Sequence, residues 1–155
     1  VTILGNLSNI LDKAQAHVDA RKIDATVLTN YRLFPDMLPM ATQVQIACDT
    51  AKGLVGRLAG VEMPVFDDKE TTLDEIKARV DKTIAFIQSV PADKIDGTED
   101  KEIVLVRRDK ETRYKGMRFL LGHAVPNFYF HVTTAYNILR HNGVEIGKRD
   151  FLGNP

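Results

Sequence analysis

Residues 127–143 read NFYFHVTTAYNILRHNG. Apolar residues recur in this stretch every three or four positions, and Gly143 follows as a natural helix end, so the pattern predicts a long helix with a buried face. One histidine, His131, lies on the apolar face beside Phe128 and Ala135. A helix with this much apolar surface must pack against other elements, and the fold follows from finding them.

Three earlier segments carry the same helical period. The first has apolar residues at spacings of three and four, namely Ile3, Leu4, Leu7, Ile10, Leu11, Ala14 and Val18. The second opens at Pro39 and stops at Gly60, which suit the first turn and the end of a helix. The third begins with a capping box, Thr72 followed by Glu75, and ends before Pro91. A short helix is also expected within residues 25–39.

The fourth long helix is expected from Lys115 to Asn142, with a break near Gly122 and Pro126 that turns His123 away from His131. Before it, residues 101–116 read KEIVLVRRDKETRYKG and predict a β-hairpin. The basic residues of this hairpin are Arg107, Arg108, Lys110, Arg113 and Lys115. They could contact phosphates, but acidic residues interleave, and a solvated turn is the preferred interpretation.

Four apolar stripes with modest connections predict an all-α fold. The expected architecture is one domain over residues 1–155, an antiparallel four-helix bundle with a short β-hairpin before the last helix. The last helix carries more apolar residues than one inner stripe needs, Tyr129, Phe130 and Tyr136 among them. The hairpin or the segment of residues 25–39 could cover this excess within one chain. A homodimer would also cover it, and we expect one.

The composition excludes several classes of protein. The chain has 155 residues, 44% hydrophobic and 27% charged, as expected for a globular domain. Its 21 basic and 21 acidic residues balance, so we expect no nucleic acid and no membrane as partner. Without a signal-peptide pattern, a cytoplasmic location is expected. The single cysteine, Cys48, excludes an internal disulfide and is interpreted as an inert core thiol.

The histidines are the first candidates for chemistry. His123 and His131 are eight residues apart, about 12 Å along a straight helix, which is too far for both to bind one ion. His131 and Asn127 are four apart and share a face, as paired metal ligands do in helical bundles. Imidazole is a good ligand for transition metals, but a carboxamide is poor. A buried histidine bonded to a polar residue of a facing helix is the preferred interpretation.

The stretch HVTTAYNILRHNG (131–143) resembles the last helix of the DinB/YfiT-like superfamily, bacterial four-helix bundles regarded as metalloenzymes. The longer runs at residues 32–53 and 120–153 resemble one branch of it, a bacterial family of unknown function. The resemblance implies a divalent metal such as Ni, Zn or Fe, held by one histidine of the second helix and a pair four residues apart on the last. A Leu-Arg-x-x-Gly pattern follows that pair, here Leu139, Arg140 and Gly143.

Counting back from this pattern places His131 on the second histidine of the pair and Asn127 on the first. No histidine occurs between Val18 and Gly122, so His131 is the one matching ligand and no metal is expected. The nearest polar candidates on the second helix are Gln43, Gln45 and Asp49. We expect His131, Asn127, Gln45 and Asp49 to form a polar network around a pocket. The alternative is a weak metal site with one good ligand and a carboxylate.

Two functions follow from this resemblance and its departures. The first is an uncharacterised DinB-like protein that acts as a binding or interaction protein. The alternative is a small-molecule enzyme, of the thiol-dependent transferase or hydrolase type, that uses a pocket around His131, with or without a weakly bound divalent metal. Fold alone does not choose between them.

Overall fold

The computed structural model describes residues 1–153. Its helices are α1 (Thr2–Arg21), α2 (Ala25–Asn30), α3 (Met40–Ala59), α4 (Leu73–Ser89), α5 (Gly116–Phe119), α6 (Val125–His141) and α7 (Lys148–Leu152). Its strands are β1 (Glu102–Arg107) and β2 (Lys110–Lys115). The predicted four-helix bundle with a hairpin before the last helix is confirmed, and the long helices are α1, α3, α4 and α6. Within the described residues, no helix is long and apolar enough to cross a membrane.

The helix ends follow from local chemistry. The Thr72 hydroxyl accepts the Glu75 amide at 3.2 Å, and the Glu75 carboxylate accepts the Thr72 amide at 3.0 Å, which completes the predicted capping box. Helix α3 ends at Gly60, whose φ of 68° is the left-handed conformation that glycine adopts without strain. Asp24, which the sequence reading did not single out, accepts the Thr26 amide and caps α2.

The core lies between the four long helices. Helix α1 packs on α4, α4 on α3, α3 on α6, and α6 closes the ring against α1. Each helix contributes fully buried residues to one continuous cluster, among them Leu7, Val44, Ile76 and Ile138. Burial of such side chains supplies about 1.5–3 kcal/mol each, which makes this cluster the main source of stability.

Two neighbouring helix pairs are antiparallel. Ser8 bonds to Asp81 across α1 and α4, and Asp12 lies near Lys77. Helix α3 likewise runs opposite to α6. Helices α3 and α4 run in the same direction, because the loop of residues 60–72 returns along the bundle before α4 begins.

The hairpin packs against one end of the bundle. Ile103 pairs with Tyr114 across the two strands and is buried with Leu58 of α3 and Phe119 of α5. Arg108 and Asp109 form the tight turn with positive φ angles of 48° and 63°. The hairpin thereby closes over the side of α3 that faces α6.

The last long helix is interrupted but not broken. A π turn over Leu120–Ala124 joins α5 to α6, and the backbone stays helical through both junctions. Pro126 lacks an amide hydrogen and cannot complete a regular α-helical turn, so the π turn lies where a break was predicted. His123 belongs to this turn and stacks on Phe119 with ring centroids 5.8 Å apart.

Candidate functional site

His131 bonds to a residue of α3 that fixes its tautomer. Its Nδ1 lies 2.7 Å from Oε1 of Gln43. The Gln43 amide nitrogen donates to the Leu38 carbonyl at 3.0 Å, so its oxygen faces the imidazole, and the proton must be on Nδ1. Burial, and then the charge of Arg107, lower the pKa of His131, which favours the neutral ring.

Asn127 makes a separate contact one turn away. Its side-chain nitrogen donates to the Thr50 hydroxyl of α3 at 2.8 Å. The Asn127–Thr50 and His131–Gln43 pairs therefore cross the same helix interface in antiparallel order. Both pairs satisfy polar groups at a largely buried contact, where an unpaired group costs about 1–3 kcal/mol.

Gln45 and Asp49 lie on another face of α3. The Gln45 side chain donates to Glu70 at 2.9 Å. One oxygen of Asp49 accepts from Arg79 of α4 at 3.0 Å and pairs with Lys52 at 3.0 Å. Both residues thus join α3 to α4 and to the loop of residues 60–72.

Arg79 is the centre of this second cluster. Its side chain is 2% exposed, and its guanidinium pairs with Asp49 at 3.0 Å, Asp68 at 2.8 Å and Glu70 at 3.0 Å. It also lies over the ring of Phe66, 5.1 Å from the centroid. Burial opposes ionisation of Glu70, but hydrogen bonds from its own amide, Gln45 and Arg79 outweigh it and hold the Glu70 pKa below its ordinary value.

The structure does not join the four predicted site residues into one network. His131 and Asn127 contact Gln43 and Thr50, whereas Gln45 and Asp49 bond to residues near α4. The helical period of α3 explains why these residues form two separate groups. Positions 43 and 50 are about two turns apart and share a face, while position 45 is rotated roughly 200° from position 43.

A cleft of about 250 Å³ opens between α3, β1 and the π turn. Its polar lining comes from Asp49, Thr50, Arg57, Arg107 and His123. Its apolar lining comes from Ile46, Leu105, Val106, Phe119 and Ala124. Of the four predicted residues, Asp49 lines this cleft and Asn127 bonds to Thr50 at its wall, whereas His131 and Gln45 do not line it.

The cleft carries positive charge. Arg57 and Arg107 form no ion pair with any residue of the described chain, positions 1–153. Burial lowers the pKa of Arg57, and the nearby Arg107 lowers it further. Burial, followed by the charges of Arg107 and Arg57, lowers the pKa of His123. Two guanidinium groups and one imidazole therefore face a shared space.

The residues present do not fit the superfamily's three-histidine metal centre. His131 supplies one imidazole, at the position of the pair's second histidine, and the position of the first holds the carboxamide of Asn127. Within residues 1–153, no three His, Cys, Asp or Glu residues lie close enough together to hold an ion. Cys48 adds no ligand or nucleophile, because burial raises the pKa of its thiol to about 11.

The sequence reading missed the basic residues of the cleft. It treated Arg107 as part of a solvated turn, although alternation along β1 places Arg107 on the face of buried Ile103 and half-buried Leu105. Arg57 follows Thr50 by seven residues, close to two helical turns, and so shares its face. The alternation along β1 and the helical period of α3 were therefore the sequence signals that could have identified Arg107 and Arg57.

Comparisons with known proteins agree with this architecture. Residues 1–152 match a protein family described as "Domain of unknown function (DUF1993)". A crystal structure of a DinB family member protein from Shewanella denitrificans is 43% identical, with a TM-score of 0.92 over 99% of this chain and 86% of that chain. No curated protein gave a significant match. The chain therefore belongs to the DUF1993 family of unknown function and has a DinB-like fold.

Proposed function

We propose that this protein binds a small molecule in the cleft between α3, β1 and the π turn, and that it does so without a resident metal. The observation that carries the proposal is the convergence of Thr50, Arg57, Arg107 and His123 on one space of about 250 Å³. A concave site with apolar walls and a few converging polar groups is typical of ligand binding.

A binding role is favoured over catalysis by the chemistry of the lining. Thr50 is the one hydroxyl in the lining; it accepts a hydrogen bond from Asn127 and makes no hydrogen bond to a base among the described residues. The thiol of Cys48 lies in the core with a raised pKa, so it is a poor nucleophile. His131 is the residue on which the enzyme alternative rested, and it lies behind the cleft, bonded to Gln43.

Heat denaturation tests the metal part of this proposal. A metal that binds only the native state adds about 2.7 kcal/mol at one hundred times its dissociation constant. We expect protein purified without an affinity tag to melt at the same temperature with and without nickel or zinc chloride. A large upward shift that disappears in His131→Ala would show that a metal site exists there.

Amide NMR spectra test the binding part. Four compounds with one aromatic ring differ mainly in charge: benzoate, phenyl phosphate, benzyl alcohol and benzylamine. We expect at least one of them to shift the amide signals of Thr50 and His123 in a saturable way. If none of the four perturbs residues lining the cleft, the proposed binding function is wrong.

We also propose that the protein forms a homodimer through the outer face of α6. Tyr129 and Phe130 remain 44% and 56% exposed there. Tyr136 does not contribute, because it packs edge-on against Phe151 of α7 with ring centroids 5.8 Å apart. Part of the apolar excess predicted for this helix is thus covered within the chain.

A further inference from the structure

The Arg57 guanidinium packs against Gly53 of its own helix. A Cβ atom built at Gly53, one turn earlier, would overlap Nη1 of Arg57. The missing side chain thus leaves the space that the guanidinium occupies. Glycine inside a helix costs roughly 0.5–1 kcal/mol relative to alanine, so this space has an energetic cost.

Arg107 approaches the same space from the opposite wall. It is the last residue of β1, and the strand alternation that buries Ile103 also turns Arg107 toward α3. Its charge lowers the pKa values of Arg57, His123 and His131, so these three groups lie within electrostatic range of Arg107.

The one carboxylate in the lining does not offset these charges. Oδ1 of Asp49 lies 3.0 Å from Nη2 of Arg79 and 3.0 Å from Nζ of Lys52. Both of those cations lie on the side of α3 away from the cleft arginines. Asp49 is therefore already engaged by Arg79 and Lys52, and the lining sets two guanidinium groups, Arg57 and Arg107, against this one carboxylate, which leaves an excess of positive charge.

Arg57 is half-buried and Arg107 is exposed. Two like charges that face one cleft repel each other unless an anion lies between them. Guanidinium groups match carboxylate and phosphate oxygens in a two-pronged geometry that ammonium groups lack. Apolar residues also line the cleft, with Leu105 and Val106 next to Arg107 on β1 and Phe119 among them. Such walls suit a ligand with an apolar body.

We propose that the ligand of this cleft is a small organic anion, with its carboxylate or phosphate between Arg57 and Arg107 and its apolar part against β1 and Phe119. This inference rests on the proposed binding function and names the chemical class of its ligand. Thr50 of α3 and His123 of the π turn also line the cleft and offer further polar contacts.

The same four compounds separate this inference from the proposed function. We expect benzoate or phenyl phosphate to bind at least about ten times more tightly than benzyl alcohol, and benzylamine to bind most weakly. Raising the salt concentration should weaken the two anions and leave benzyl alcohol unchanged. Tighter binding of benzoate would indicate a carboxylate site, and tighter binding of phenyl phosphate would indicate a phosphate site.

Three variants locate the anion. Arg57→Gln and Arg107→Gln should each weaken the better anion by about tenfold or more, with little effect on benzyl alcohol. Arg113→Gln is the matched control, because Arg113 lies on β2, is exposed and pairs with Glu102 and Glu111 outside the cleft. A thermal melt shows whether each variant is folded. If one cleft variant is unfolded, the other still tests the inference.

Each outcome is decisive. If the anions and benzyl alcohol bind the cleft equally well, the anion inference is overturned and the proposed function stands. If an anion binds preferentially but neither cleft variant weakens it, the inference is also overturned. If no compound reaches the cleft, both proposals fail.

Discussion

Replacement of Arg79 by methionine tests the cluster that holds α3, α4 and the loop of residues 60–72 together. Methionine has a similar length and no charge, so it keeps part of the packing and removes the ion pairs. Removing one partner of a buried ionic cluster is costly because the remaining charges lose their match. The cost depends on how well water can reach each carboxylate afterwards.

The loss of stability can be worked out separately for each residue that contacts Arg79. The side chains of Asp49 and Asp68 are 44% and 63% exposed, so water replaces the guanidinium and each pair contributes at most about 1 kcal/mol. The Glu70 side chain is 13% exposed and keeps only Gln45 and its own backbone amide as partners, a loss of about 1.5–3 kcal/mol. The contact with Phe66 adds about 0.5–1 kcal/mol.

An unsatisfied donor in the wild-type cluster reduces the total loss of stability expected from this replacement. The Nε group of Arg79 is buried without a hydrogen-bond partner among the described residues, so the native cluster already carries an unsatisfied donor. We therefore expect Arg79→Met to lower the free energy of unfolding by about 3 kcal/mol. For a chain of this size, that lowers Tm by roughly 6–12 °C.

Thermal and urea denaturation followed by circular dichroism measure this effect, with Arg113→Met as the control. Arg113 also contacts two carboxylates, but all three side chains are exposed, so no resolvable change in Tm is expected. Adding Glu70→Gln should cost less in the Arg79→Met background than in the wild type, since the two residues interact. An unchanged Tm in Arg79→Met, or an equal loss in Arg113→Met, would refute the argument.

Three further predictions follow from other parts of the structure. Because the Glu70 pKa lies below its ordinary 4.5, its stabilisation is complete above that pH and is lost as the pH falls further, so acid titration of unfolding should be shallower in Glu70→Gln. Gly116→Ala should destabilise, because a Cβ there overlaps the Thr98 carbonyl, whereas Gly5→Ala in α1 meets no atom within 4 Å and should stabilise by about 0.5–1 kcal/mol; thermal melts compare them. Light scattering should give twice 17.4 kDa for the wild type and a smaller mass for Tyr129→Glu; a wild-type mass near 17.4 kDa at micromolar concentrations rules out the homodimer.

The fold was predictable because its signals are local. Apolar spacing within each segment identifies the helix, and Thr72, Glu75 and Gly60 mark ends that depend on neighbours a few residues away. The direction of α4 relative to α3 was not predictable in this way. A connection of 13 residues, 60–72, is long enough either to turn back at once or to return along the bundle.

The candidate site was predictable only in part, because sequence does not show how a helix is rotated in the bundle. Gln43 and Gln45 are both buried, yet one bonds to His131 and the other to Glu70. Arg79 was missed for another reason. It lies on the same helical stripe as Ile76 and Thr83, but a charged residue is assumed to be exposed unless its partners are known.

Asp49 connects the stabilising cluster to the cleft. It lines the cleft, and its Oδ1 is engaged by Arg79 and Lys52 on the other side of α3. If Arg79 is replaced by methionine, the Asp49 carboxylate loses one of these two cations and becomes a partner for Arg57 or Arg107. The cleft would then hold less excess positive charge although none of its lining residues has changed. We therefore expect Arg79→Met, measured well below its Tm, to bind phenyl phosphate more weakly than the wild type and to bind benzyl alcohol equally well. Equal phenyl phosphate affinities in the two proteins would show that Asp49 does not govern the charge of the cleft.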